Sequence, residues 1–176
     1  HPMRMLQGMI PLLSIDRSLL FEDLDEEESC GLQVIARVPA LISSFRHIQD
    51  GTEMPDADNS KSYLGNYRSV FTGNDAVSSE YESILSVVQI LQMEHSLNVG
   101  TFTSRVVSST LAPVDSAFSS AIGALYGILH GGADEAALND AKRVGSPENA
   151  ECFIEDLLKN KGKLMGMGHR EYRKID

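Results

Sequence analysis

Pro113-Val114-Asp115-Ser116-Ala117-Phe118-Ser119-Ser120-Ala121-Ile122-Gly123-Ala124-Leu125-Tyr126-Gly127-Ile128-Leu129-His130-Gly131-Gly132 is the stretch that decides how this chain folds. Pro113 suits the first turn of a helix, where its missing N–H would be unpaired anyway. The residues after it predict a helix to about residue 129, which Gly131-Gly132 breaks, and a second helix over about 133–143. Ala117, Ala121, Gly123, Ala124 and Gly127 let another helix come close, for tight core packing or for an oligomer interface. At the break stands His130, followed by Gly131-Gly132-Ala133-Asp134-Glu135-Ala136. An imidazole among glycines at a helix end suits chemistry more than packing. The backbone can approach a ligand closely there, and helix-end amides can hold an anion or tune the histidine.

Beyond this pair, Ser146-Pro147-Glu148-Asn149 signals another helix start, with Ser as cap, Pro first and an acid in the first turn. That helix is expected to run to residue 159. Gly162, Gly166 and Gly168 then mark a glycine-rich turn carrying His169. Toward the amino end, helices are predicted over 101–111 and 80–93. The latter is capped by Ser78 or Ser79, with Ile84, Leu85, Val88 and Leu91 inward and His95 just beyond. A short helix over 63–71 stops at Gly73, residues 51–62 read as a polar loop, and 3–13 as a helix. Over 32–48 the apolar positions keep a helical period, and Pro39 should kink that helix or divide it in two. No alternating strand pattern and no internal repeat is present, so the fold class is mainly α.

Composition agrees. The chain has 176 residues, 42% hydrophobic, with only 6% aromatics and no Trp, so the core rests on aliphatic residues and Met. Its formal charge of −10 argues against nucleic acid as a partner. The acidic run Glu22, Asp23, Asp25, Glu26, Glu27 and Glu28 reads as a solvated loop. Lys159, Lys161, Lys163, Arg170, Arg173 and Lys174 make the end basic, either as a solvated helix end or as the seat of a small anionic ligand. Cys30 and Cys152 lack metal or redox spacing and fit a reducing compartment. No apolar run is long enough to span a membrane and no signal peptide is visible, so a cytoplasmic location is expected, or a mitochondrial matrix if the source is eukaryotic.

Of five histidines, His1 and His47 have no suggestive context, and His47 is expected to lie exposed near a helix end. His95, His130 and His169 have polar company, but their spacing fits no zinc site, and no metal is expected. No Gly-x-Ser-x-Gly element supports a serine hydrolase. Three histidines near arginines suit the binding and polarisation of a small dicarboxylate.

Three segments carry a family resemblance. Glu94-His95-Ser96-Leu97-Asn98-Val99-Gly100-Thr101-Phe102-Thr103-Ser104-Arg105-Val106 resembles the first histidine motif of citrate synthases. The stretch from Gly123 to Ala133 resembles the second, and Met165-Gly166-Met167-Gly168-His169-Arg170-Glu171-Tyr172 the third. Ser96, Gly100 and Asp134 depart from the residues common in the family. The resemblance implies a citrate-synthase-like helical fold, with residues 1–130 as part of the large domain and 131–176 as the start of the small domain. His1-Pro2-Met3 resembles a segment preceding the motifs, and the chain is read as a central piece of a longer protein.

The implied reaction joins oxaloacetate to acetyl-CoA and water, giving citrate and CoA. His130 would donate to the thioester carbonyl as it becomes an enol, and the start of the following helix would favour its neutral form. His169 would polarise the ketone of oxaloacetate, His95 would bind the same substrate, and Asn98 would help hold the site. Gly166, Gly168 and Arg173 would serve CoA. Acetyl-CoA is a substrate, so no cofactor is implied, and the family is homodimeric. The family's general base, an aspartate after the third motif, matches no residue of 1–176. Three alternatives stand beside this one: 2-methylcitrate synthesis from propionyl-CoA, a non-catalytic binding or oligomerisation module, and a lyase running the reverse chemistry.

Overall fold

Side-chain caps start several helices where the sequence sets Ser, Asp or Asn ahead of a helical pattern. The computed structural model describes residues 1–13, 15–74, 79–93 and 97–167. Among these, eight α-helices and two 3₁₀ turns form a wholly helical fold, with no strand among the described residues. α1 spans Pro2–Met9 and passes into a 3₁₀ turn at Ile10–Leu12. α2 spans Glu26–Asp50, α3 Tyr63–Thr72 and α4 Ser79–Met93. α5 spans Val99–Ser108, α6 Val114–Leu125 and α7 Gly132–Val144. A 3₁₀ turn at Pro147–Asn149 leads into α8, Ala150–Lys159. The chain divides into two compact units, His1–Ala124 and Leu125–Asp176.

α2 differs from its sequence reading at both its start and its middle. Part of the acidic run is helix, not loop. The Glu28 N–H donates to Asp25 Oδ1 (2.8 Å), and the Asp25 N–H donates to Glu28 Oε2 (3.0 Å). This reciprocal cap, with Glu26, Glu27 and Glu28 against the positive helix end, converts acid repulsion into a start signal. Nor does Pro39 divide the helix, which runs unbroken past it. Proline has no N–H for the carbonyl four residues back, here Ile35. The Tyr63 hydroxyl donates to Ile35 O at 2.9 Å and fills that place. Ser43 Oγ donates to Pro39 O (2.8 Å), one turn on. Burial pushes the Tyr63 and Tyr67 hydroxyls above their ordinary values, so both stay protonated at neutral pH and Tyr63 can donate.

The His1–Ala124 unit has a thin apolar core, with Leu6, Ile10, Cys30, Val34, Val70 and Ala117 buried. Buried polar groups supplement it, each with a partner. Ser29 Oγ donates to Ser18 O (2.8 Å) and accepts from the Leu20 N–H (2.9 Å). Gln33 bonds both the N–H and the carbonyl of Asp16, so the segment after the first 3₁₀ turn is laced along α2. His47 is buried, not exposed as its sequence context suggests. The loop after α2 folds back over it. His47 Nε2 donates to Val70 O of α3 (2.8 Å), since a carbonyl can only accept, and the Thr52 hydroxyl meets Nδ1 at 2.7 Å. One imidazole thereby ties α2, its following loop and α3.

α6 uses its small residues to seat α1. Ser119 Oγ donates to Gln7 O (2.7 Å), and a Cβ on Gly123 would collide with the Gln7 amide. α4 departs from expectation: Ile84, Val88 and Leu91 are exposed by 54%, 46% and 73%. Tyr81, Val87 and Ile90 are exposed as well, so apolar residues surround most of the helix, and α3 covers only part of it. Among the described residues, no helix is long and apolar enough to cross a membrane.

Candidate active site

The His130 turn is built from main-chain bonds. α6 ends at Leu125, before the point the sequence suggests, because the chain folds back on its last turn. The Gly131 N–H donates to Leu125 O (3.0 Å), and the His130 N–H to Gly127 O (2.9 Å). A Cβ on Gly131 would collide with the Leu125 carbonyl, so this close return requires glycine. The Ala133 N–H then donates to His130 O (3.1 Å), and α7 begins at Gly132. His130 therefore stands, half-buried, just ahead of the amino end of α7. Asp134 and Glu135 in the first turn and Lys142 and Arg143 in the last complement the helix dipole.

The glycine-rich turn rests on the same helix. Gly166 has φ +81°, and a Cβ added there would lie 3.2 Å from Ala137 Cβ of α7. Both the dihedral and the close approach call for glycine. Beside the turn, an apolar cavity of about 180 Å³ is lined by Ala137, Ala141, Phe153, Ile154, Leu164 and Met167, among others. One helix thus holds both His130 and the turn that leads toward His169. Sequence reading missed Ala137, because the contact joins positions 29 residues apart and a lone alanine gives no signal.

Asn98 caps α5, its Oδ1 accepting from the Thr101 N–H at 3.0 Å. It belongs to the first unit, whereas His130 and Gly166 belong to the second. His95, Gly168, His169 and Arg173 lie outside the described residues. Among the described residues, no group of His, Cys, Asp and Glu is arranged to hold a metal.

The sequence model for the C-terminal domain of citrate synthase matches residues 1–176. The chain belongs to the citrate synthase family. It is 34% identical over 180 residues to the citrate synthase of Deinococcus radiodurans, which covers all of this chain and 47% of that protein. A 2-methylcitrate synthase of Corynebacterium glutamicum is also 34% identical, over 181 residues that cover all of this chain and 48% of that protein. The solved citrate synthase of Thermotoga maritima superposes with a TM-score of 0.76 at 29% identity, over 100% of this chain and 45% of that one. That of Thermoplasma acidophilum, solved as a ternary complex with carboxymethyl coenzyme A and oxaloacetate, gives 0.74 at 26% identity, over 99% and 45%. The chain spans about half the length of the curated citrate synthase family members it matches.

Proposed function

We propose that the protein containing this chain condenses oxaloacetate with acetyl-CoA and water to give citrate and CoA, acting as an acyltransferase. The observation that carries this reading is the His130 turn: an imidazole held by main-chain bonds between two helices, within a chain that matches the citrate synthase family over its whole length. In this scheme His130 donates to the thioester oxygen as negative charge develops there, while a carboxylate removes the α-proton. No residue of 1–176 is assigned to that carboxylate. His169 polarises the ketone, the new carbon–carbon bond forms, and water then cleaves the thioester. His95 and Asn98 hold oxaloacetate, and Gly166, Gly168 and Arg173 hold the acyl-CoA. No cofactor or metal enters the scheme. The proposal includes a homodimer in the cytoplasm, with residues 1–130 in a large domain and 131–176 in a small one.

Relatives with both names support a second reading, in which propionyl-CoA is the substrate and 2-methylcitrate the product. The test is steady-state release of CoA thiol by the complete protein with oxaloacetate and either thioester. A kcat/KM for acetyl-CoA at or above that for propionyl-CoA is the expected result. A strong propionyl preference would establish the second reading, and oxaloacetate binding without turnover of either thioester would leave a binding module.

A further inference from the structure

Gly166 approaches α7 at one point. Among the described residues, and leaving aside its chain neighbours, Ala137 Cβ is the one atom that a Cβ on Gly166 would meet within 4 Å, at 3.2 Å. Beside this approach lies the apolar cavity of about 180 Å³, bordered by Ala141 of α7, Phe153 and Ile154 of α8, and Met165 and Met167 of the turn itself. Close packing is what holds protein segments against displacement, and a void offers no atoms to push back. Methionine, with three rotatable bonds, adapts readily at such a border. The distance of the turn from α7 is therefore set where Gly166 approaches Ala137, through a single methyl group.

That methyl sits on the helix that starts at the His130 turn. α7 begins at Gly132, and the Ala133 N–H donates to His130 O at 3.1 Å. Position 169 follows Gly166 by three residues, and His169 lies outside the described residues. Three residues of chain reach about 10 Å at most, so the seat of Gly166 bounds where the imidazole that follows can act.

We infer that Ala137 is a positioning residue for the condensation: its methyl sets how close the glycine turn lies to α7, and so the alignment of the second and third histidine motifs. The inference rests on the functional reading above and deepens it. Ala137 is assigned no contact with substrate and acts through Gly166.

The experiment enlarges position 137 in steps in the complete protein, with Ala137→Ser, Ala137→Val and Ala137→Ile. Valine and isoleucine carry two branches on Cβ and are stiff about χ1, so they cannot turn wholly into the cavity. Ala141→Ile adds the same atoms one turn along α7, beside the cavity but outside the 4 Å approach to Gly166. The kcat with acetyl-CoA should fall in that order, by about two-fold for serine and about ten- to a hundred-fold for isoleucine, since a misplacement near 1 Å costs factors of this size. Both KM values should stay within about three-fold, and Ala141→Ile should keep kcat within about two-fold. A merely structural role would lower the melting temperature at both positions and leave kcat of the folded protein unchanged. Circular dichroism establishes which variants are folded at the assay temperature; where isoleucine is not, the step from serine to valine decides. A parental kcat in folded Ala137→Val, or an equal loss in Ala141→Ile, overturns this proposal alone while the parent is active. A parent protein that turns over neither acetyl-CoA nor propionyl-CoA overturns the functional reading, and this inference with it.

Discussion

Tyr63→Phe tests how α2 survives an internal proline. The substitution removes one oxygen, the donor that meets Ile35 O at 2.9 Å where Pro39 supplies none. A typical net hydrogen bond contributes about 0.5–1.5 kcal/mol, and an orphaned buried carbonyl costs about 1–3 kcal/mol. Ile35 and Tyr63 are 48% and 50% exposed, so water can reach the freed carbonyl. The lower end applies, about 0.5–1 kcal/mol, or roughly 1–4 °C in melting temperature for a domain of this size. Pro39→Ala provides the decisive control, because it restores the main-chain donor to Ile35. In that background Tyr63→Phe should cost about a third as much or less, and the two changes should couple in a double-mutant cycle. Urea unfolding followed by far-ultraviolet circular dichroism gives all four stabilities. Equal cost in both backgrounds would refute the reasoning, as would no cost in the parent. The pH dependence has a definite sign. Burial raises the Tyr63 hydroxyl above its unfolded value, so its contribution is full below that value and is lost as pH rises through the folded one. The parent should therefore lose more stability than Tyr63→Phe in the alkaline range above about pH 10.

Three further outcomes follow. In the complete protein, His130→Ala should lower kcat by about 10²–10³ while sparing oxaloacetate binding, whereas His169→Ala should damage both; equal, mild effects in steady-state kinetics would contradict the assigned roles. Asp25→Ala breaks the reciprocal cap of α2 and should destabilise by about 1 kcal/mol in urea unfolding, with no loss if the segment before α2 replaces the cap. Ser146→Ala should raise the Glu148 carboxyl toward its ordinary value in an NMR titration, since the Ser146 hydroxyl is the main cause of its depression; an unmoved carboxyl would assign the effect to the backbone bond instead.

What the sequence reveals here is what neighbouring residues decide. Gly73 ends α3, Gly131 permits the close return onto Leu125 beside His130, and Pro147 opens the turn into α8, each through the chemistry of one or two positions. The candidate site was read from the sequence as histidines in three ordered motifs, and of these three histidines His130 lies among the described residues. What stayed hidden depends on distant partners. Pro39 reads as a breaker because the hydroxyl that completes its helix comes from Tyr63, 28 residues from the Ile35 carbonyl it meets. His47 reads as a surface group because Val70 and Thr52, which bury it, belong to other segments.

The two kinds of information combine at α7. Local chemistry starts this helix at Gly132 and so fixes where His130 stands. A distant contact, Gly166 on Ala137, fixes where the second glycine turn lies along the same helix. Ala137 lies five positions beyond Gly132, about 7.5 Å at the rise of an α-helix. That separation is set by the hydrogen-bonded backbone of the helix, so substitutions elsewhere in the unit change it little while α7 remains folded. Two groups that must meet one substrate are best carried by such an element, since small misplacements cost large factors in rate. The motif around His130 and the turn leading to His169 therefore form one mechanical unit, although 38 residues separate the histidines in sequence.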